Sequence, residues 1–227
     1  MSISVGGYVF NPRTTVVREQ YEVVGGKQTR AIRITGLLRG AADEASLIAA
    51  LDAVTEAVSM DAPVLVSLRP GRQIAARREG LVREINGRAL TGQFVVDLRA
   101  ESAWEESEAI ETLPWVIGQS GEVLGVSNTG NAPTDPVITL AADDFLITPG
   151  VGDGTRMIVY EGEVAGGSTL VIDAVKREVR LDGVEVTGYT SGEFPRLAPG
   201  ETELVFTDDI MSSHQATGSV AWRPRWW

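Results

Sequence analysis

Along most of the chain apolar and polar residues alternate, the two-residue period of half-buried strands rather than the 3.6-residue period of helices. Residues 168–206 carry the pattern most plainly. Residues 169–173 are rich in β-formers, Val179 and Leu181 alternate with Glu178 and Arg180, and Val184 and Val186 flank Glu185. Between the last two runs, Asp182-Gly183 supplies the positive φ of a two-residue hairpin. Pro199-Gly200 then turns the chain into 201–207, with Leu204 and Phe206 on one face and Glu203 and Val205 on the other. The stretch predicts an antiparallel sheet with one wet face.

In chain order, Tyr8-Val9-Phe10 predicts a short strand, and residues 14–24 pair with 31–38 across Gly25-Gly26. Residues 43–58 are the one convincing helix. Leu47, Leu51, Val54 and Val58 form a single apolar stripe, and Asp43 is placed to cap the first turn. Val64, Val66 and Leu68 alternate, Pro70-Gly71 turns, and 73–76 continues. Residues 81–85 and 89–90 are expected to join across Asn86-Gly87, the strongest short hairpin signal in the chain, before Phe94, Val96 and Leu98 resume the alternation.

Residues 101–121 read as a junction, acidic through Glu105, Glu106, Glu108 and Glu111, then irregular at Leu113-Pro114-Trp115. Two domains, 1–112 and 113–227, follow from this. Residues 122–127 and 137–141 are expected as the first strand pair of a second β-sandwich. At the chain end, 219–222 continue the alternation as a final strand with Val220 and Trp222 facing the core. The fold class is mostly β, built as β-sandwiches, with one α-helix in the first domain.

Composition narrows the function. The 25 glycines and 10 prolines in 227 residues fit a turn-rich β protein, and the absence of cysteine excludes disulfides and thiolate chemistry. The opening MSISVGGYVF lacks a basic segment and an apolar core, so no secretion signal is expected, and the absence of cysteine fits a cytoplasmic place of synthesis. Charge is uneven: 13 Lys and Arg oppose 15 Asp and Glu through residue 112, and 7 oppose 16 after it, within a net charge of −11. Tight binding to duplex DNA needs phosphate neutralisation, so an acidic chain is a poor candidate for it, and equally for an anionic membrane.

Candidate chemistry is sparse. His214 is the only histidine, so any Ser–His–Asp arrangement would use it with Ser212 or Ser213, and a solvated loop is the simpler reading. Asp143-Asp144 and Asp208-Asp209 lie outside any calcium-loop spacing. The glycine-rich residues 150–155 lack the lysine of a phosphate cradle and lead into a strand, so they are a turn. Catalytic, cofactor and metal sites are therefore not expected. Arg69, Arg72, Arg77, Arg78, Arg83 and Arg88 cluster with only Glu79 and Glu84 among them, either a solvated hairpin surface or a subunit interface. Three of five tryptophans fall in the last six residues, which makes Trp222 and Trp226 the candidate glycan contacts of an alternative, lectin-like reading.

Four strings in order tie the second half to a family. Residues 126–138 match an "N.Gn.pt.P.I" opening, 172–183 an "(I/V)D…R.V.L.G" hairpin, and 194–206 an "F..L.PG...L.F" return, before the end Trp222-Arg223-Pro224-Arg225-Trp226-Trp227. Together they resemble the carboxy-terminal domain of siphophage distal tail proteins over roughly residues 120–227. The resemblance implies a galectin-like β-sandwich in the second domain and a ring-forming first domain. It further implies a structural virion protein, a hexameric ring joining the tail tube to the tail tip or baseplate hub, with DNA passing through the lumen unbound. In such a ring the arginine run would face an acidic stretch such as 101–111 of the next subunit, and the galectin-like half would sit outside as a docking module.

Overall fold

The computed structural model describes residues 3–58 and 62–227; Met1 and Ser2 of the amino-terminal opening lie outside them. The chain divides into two compact units, residues up to Glu108 together with Trp227, and Ala109–Trp226.

In the first unit the strands are β1 (Ile3–Val5), β2 (Tyr8–Phe10), β3 (Thr15–Val24), β4 (Lys27–Leu38), β5 (Val64–Arg69), β6 (Arg72–Asn86), β7 (Thr91–Ala100) and β8 (Glu105–Ser107). They pair antiparallel in the order β2-β1-β5-β6-β7-β4-β3, with β8 beside the start of β6. The predicted hairpin closes as expected, with Val24 opposite Lys27 across Gly25-Gly26. Helix α1 (Glu44–Ala57) begins at Asp43, whose carboxylate accepts from the Ser46 amide at 2.7 Å and hydroxyl at 2.6 Å. Those bonds hold the Asp43 carboxyl below its ordinary pKa. All four residues of the apolar stripe are buried. The helix lies over Gly92 of β7, where a Cβ would stand 3.1 Å from Leu47 and Leu51.

Two expectations change here. Asn86-Gly87 is not a two-residue turn: Asn86 pairs with Thr91, leaving a four-residue loop. The Asn86 side chain accepts from the Ala89 amide at 3.0 Å, and the positive φ falls on Leu90. The runs 73–76 and 81–85 are one strand, with a register shift between Arg78 and Gly80. The bulge moves the inward positions from Ile74 and Ala76 to Leu81, which broke the apparent periodicity.

The second unit is a two-sheet sandwich. One sheet runs β10-β20-β13-β14-β19, with β10 (Val123–Asn128), β13 (Gly150–Gly152), β14 (Met157–Tyr160), β19 (Thr190–Gly192) and β20 (Gly200–Thr207). Its partner runs β18-β17-β16-β11-β21-β9, with β9 (Glu111–Ile117), β11 (Val137–Ala142), β16 (Thr169–Asp173), β17 (Glu178–Leu181), β18 (Val184–Glu185) and β21 (Ala216–Trp222). Two short strands, β12 (Leu146–Ile147) and β15 (Glu163–Val164), pair with each other. Val126, Val151, Leu204 and Phe206 of one sheet share a core with Trp115, Leu140, Leu170 and Val220 of the other.

Asp182-Gly183 forms the expected hairpin, φ 49° and 81°, with Leu181 opposite Val184. The return strand β20, however, crosses to the opposite sheet rather than extending the hairpin, and β10 and β11 lie in different sheets rather than pairing. The junction is also more regular than expected. β9 pairs with β21 along its whole length, Glu111 opposite Trp222, so the expected boundary at 112 falls inside a strand. Pro114 is accommodated because β9 is an edge, where a missing amide costs no ladder bond.

Candidate functional site

The "N.Gn.pt.P.I" string of the second unit is a clasp on the chain end. Asn128, buried, donates to the carbonyls of Ala132 at 3.1 Å and Leu197 at 3.4 Å, and its Oδ1 accepts from the Gly130 amide at 3.0 Å. The Ala132 amide donates to the Arg225 carbonyl at 3.0 Å, and the Thr134 hydroxyl to the Arg223 carbonyl at 2.7 Å. Thr134 and Leu197 exchange backbone bonds at 2.9 and 2.8 Å. Asp135 takes Arg225 at 2.7 Å and Arg196 at 3.2 Å. Polar groups so thoroughly paired with the chain's own backbone hold a fold rather than present a ligand site.

The glycine-rich residues 150–155, expected to be a turn, divide: Gly150–Gly152 form strand β13 between β14 and β20, and only 153–156 make the turn into β14. Asp153 accepts from the amides of Thr155 at 2.9 Å, Arg156 at 2.7 Å and Arg196 at 2.8 Å. Burial alone would raise its pKa, but the amides of Arg156, Arg196 and Thr155 outweigh it and hold the carboxyl below its ordinary value.

The arginine run is divided among partners within its own unit. Arg77 meets Glu101 at 3.0 Å, Arg83 meets Asp52 at 2.6 Å and Thr55 at 3.0 Å, and Arg69 and Arg72 converge on Glu105. The acidic residues 101 and 105 expected from a neighbouring subunit are thus the chain's own. Among the described residues no ion pair is formed by Arg78 or Arg88.

Sequence reading missed the centre of this network, Arg30. Its side chain is 0% exposed, donates to Glu19 at 3.0 Å, Glu105 at 3.1 Å, the Tyr21 hydroxyl at 2.8 Å and the Ala103 carbonyl at 2.6 Å, and stacks over the Tyr21 ring. Arg69 adds a bond to Glu19 at 3.0 Å; burial works against its charge, and Glu19 and Glu105 together raise its pKa. One signal was available: Arg30 shares the inward parity of Ile32 and Ile34 on β4.

The concavity over β3, β4, β6 and β7 is lined mostly by paired charges, Arg33 on Asp97 and Arg99 on Glu22 and Glu79. Among the described residues no group of three His, Cys, Asp or Glu side chains is placed to hold a metal ion. His214 does meet Asp208, Nδ1 to Oδ1 at 2.8 Å, with the Asp208 side chain fully buried. The hydroxyls of Ser212 and Ser213 bond the Ile147 and Phe145 carbonyls rather than the His214 ring. Trp222 is 7% exposed in the sandwich core, which removes it as a stacking platform for sugars, and Trp226 is half-buried. Among the described residues no helix is long and apolar enough to cross a membrane.

Residues 129–226 match the family model described as the siphovirus-type tail component, C-terminal domain. Over its whole length the chain is similar to the crystal structure of the phage SPP1 Dit (gp 19.1) protein, described as a paradigm of hub adsorption apparatus in phages infecting Gram-positive bacteria. The two are 12% identical, with 100% of this chain and 99% of that chain covered and a TM-score of 0.73. The phage P2 baseplate in its activated conformation with Ca gives 7% identity, 92% and 87% coverage and a TM-score of 0.39. No curated protein matches the chain. Most of the second unit thus matches the model of the siphovirus-type tail component C-terminal domain, and the chain as a whole shares the fold of the SPP1 Dit protein.

Proposed function

We propose that this chain is a structural virion protein that assembles as a closed ring, a hexamer by analogy, connecting the tail tube to the tail tip or baseplate. The observation that carries the reading is the end-to-end likeness to a hub protein, covering 100% of this chain and 99% of that one, together with the family match over 129–226. The first unit builds the ring. In a closed ring each subunit offers different surfaces to its two neighbours, and Arg78 and Arg88, outside the ion pairs of the arginine run, are the arginines left to pair across that contact. The galectin-like second unit docks other tail proteins, and the net charge of −11 lets DNA traverse the lumen without specific binding. The protein then resides in the virion tail after synthesis in the host cytoplasm.

The test is the mass of the purified chain by light scattering, alone and mixed with the tail tube protein of the same particle, with negative-stain images of each peak. A ring of about six subunits with a central hole is expected in at least the mixture. A monomer under both conditions overturns the ring. Arg78→Glu with Arg88→Glu is expected to dissociate it, and an intact ring removes those two residues from the interface.

A further inference from the structure

Between β20 and β21 the chain presents two adjacent large apolar side chains to solvent, Ile210 at 88% and Met211 at 71% exposure. The loop beneath them is firmly held. The Asp209 amide donates to the Ile147 carbonyl at 3.0 Å, the Ser212 amide to the Asp209 carbonyl at 2.9 Å, and the Ile147 amide to the Ser212 hydroxyl at 2.7 Å. The Ser213 amide and hydroxyl both reach the Phe145 carbonyl, at 3.1 and 2.8 Å. The Met211 amide bonds the Asp209 carboxylate at 2.8 Å, and His214 closes the loop onto buried Asp208. Backbone order of this kind is established before any encounter, so burying the tip sacrifices little further conformational freedom. Large apolar side chains held out on a rigid support mark a contact surface.

The surroundings select what it contacts. Asp143, Asp144, Glu163 and Asp209 are exposed on the loop itself and on the segments bonded to it. No lysine or arginine occurs in residues 136–155, 157–175 or 197–222. Residues 109–226 as a whole hold 17 acidic and 7 basic side chains, a net charge of −10. An anionic bilayer would be repelled, and the same unit of a second copy would bring equal negative charge against the first. We propose that Ile210 and Met211 form a docking knob that inserts into an apolar pocket rimmed by lysine and arginine on another protein of the tail.

The proposal rests on the reading of the chain as a tail protein, and the experiment separates the two. Because the sequence has no cysteine, Met211→Cys creates a unique thiol, and Val184→Cys, at a position 67% exposed, serves as control. Maleimide labelling rates are measured on the free full-length chain and on purified assembled tails. Labelling at 211 is expected to fall about tenfold in tails, as for a site occupied nine-tenths of the time, while labelling at 184 stays near its free rate. Equal rates at 211 in free chain and tails overturn the knob. Absence of the chain from purified tails overturns the tail reading itself. Protection at 211 in the free chain that grows with protein concentration assigns the knob to a second copy and overturns the basic partner. Ile210→Asp with Met211→Asp is expected to leave the melting of the free chain unchanged while the tails lose a component. A full complement of components with this variant also overturns the proposal.

Discussion

Arg30 and Glu105 meet at 3.1 Å with side chains 0% and 2% exposed, so a cation and an anion share a site closed to water. Such a pair is costly to assemble and more costly to break, because either charge alone is left buried without compensation. Glu105 also receives Arg69, and Arg72 lies 3.9 Å away, so its loss strips several cations at once. Glu105→Ala is expected to destabilise the first unit by about 3–5 kcal/mol. Arg30→Met should cost distinctly less in a Glu105→Leu background than in the wild type, since the anion it leaves behind is gone. Hydrogen exchange of the β3 and β4 amides measures both. Additive effects would show that the pair is not coupled.

That pair also marks the limit of what the pattern of residues conveyed. Where one residue's neighbours decide its place, the reading held: the stripe from Leu47 to Val58, the Asp43 cap, the Asp182-Gly183 turn and the alternation ending at Trp222 all appear in the structure. Where distant partners decide, it did not. Arg30 is buried by Glu105 and Ala103, more than 70 positions away, which no local period encodes. The bulge between Arg78 and Gly80 reversed the parity of β6, so one long strand read as two. Which sheet β20 joins is a matter of topology, and alternation is the same on either side of a sandwich. The string at 126–138 was legible, but its role as a clasp on Arg223 and Arg225 emerged only in three dimensions.

Gly130 is the sharpest probe of that clasp. A Cβ there would stand 2.2 Å from the Arg225 carbonyl oxygen and 2.6 Å from its amide nitrogen, both backbone atoms that cannot swing aside. Gly130→Ala is expected to cost about 1–3 kcal/mol by forcing the two backbone segments apart. Gly118→Ala, at a position with open space where a Cβ would go, should be within about 0.5 kcal/mol of the wild type. Thermal melts of the two variants decide it, and equal melting temperatures would refute the clasp.

Trp222 offers a test in which size and polarity oppose each other. Its indole fills the sandwich core, yet its Nε1 is buried without a hydrogen-bond acceptor. Trp222→Phe loses apolar volume but also removes a desolvated donor worth about 1–3 kcal/mol, so the net change should stay within about 1 kcal/mol. Trp222→Ala keeps no such compensation and should cost about 3–5 kcal/mol. Urea unfolding of both variants checks the contrast. A Phe variant as unstable as the Ala variant would mean that the indole N–H is satisfied.

The Asp153 carboxylate sets a pH dependence whose sign is fixed by its surroundings. Burial raises its pKa, the amides of Arg156, Arg196 and Thr155 lower it, and the amides win. The folded carboxyl therefore binds a proton less readily than the unfolded one, whose pKa is about 3.9. Its contribution to stability is fully present above that value and is lost as pH falls through the lower, folded pKa. Asp153→Asn keeps one acceptor oxygen but cannot accept from both sides of the turn, so at pH 7 it should cost about 1–3 kcal/mol. The gap in melting temperature between wild type and variant, followed by near-ultraviolet circular dichroism of the buried tryptophans Trp115 and Trp222, should be widest at neutral pH and narrow below about pH 4. A gap that stays constant from pH 7 to pH 3 would mean that the ionised carboxylate is not what pins the turn to Arg196.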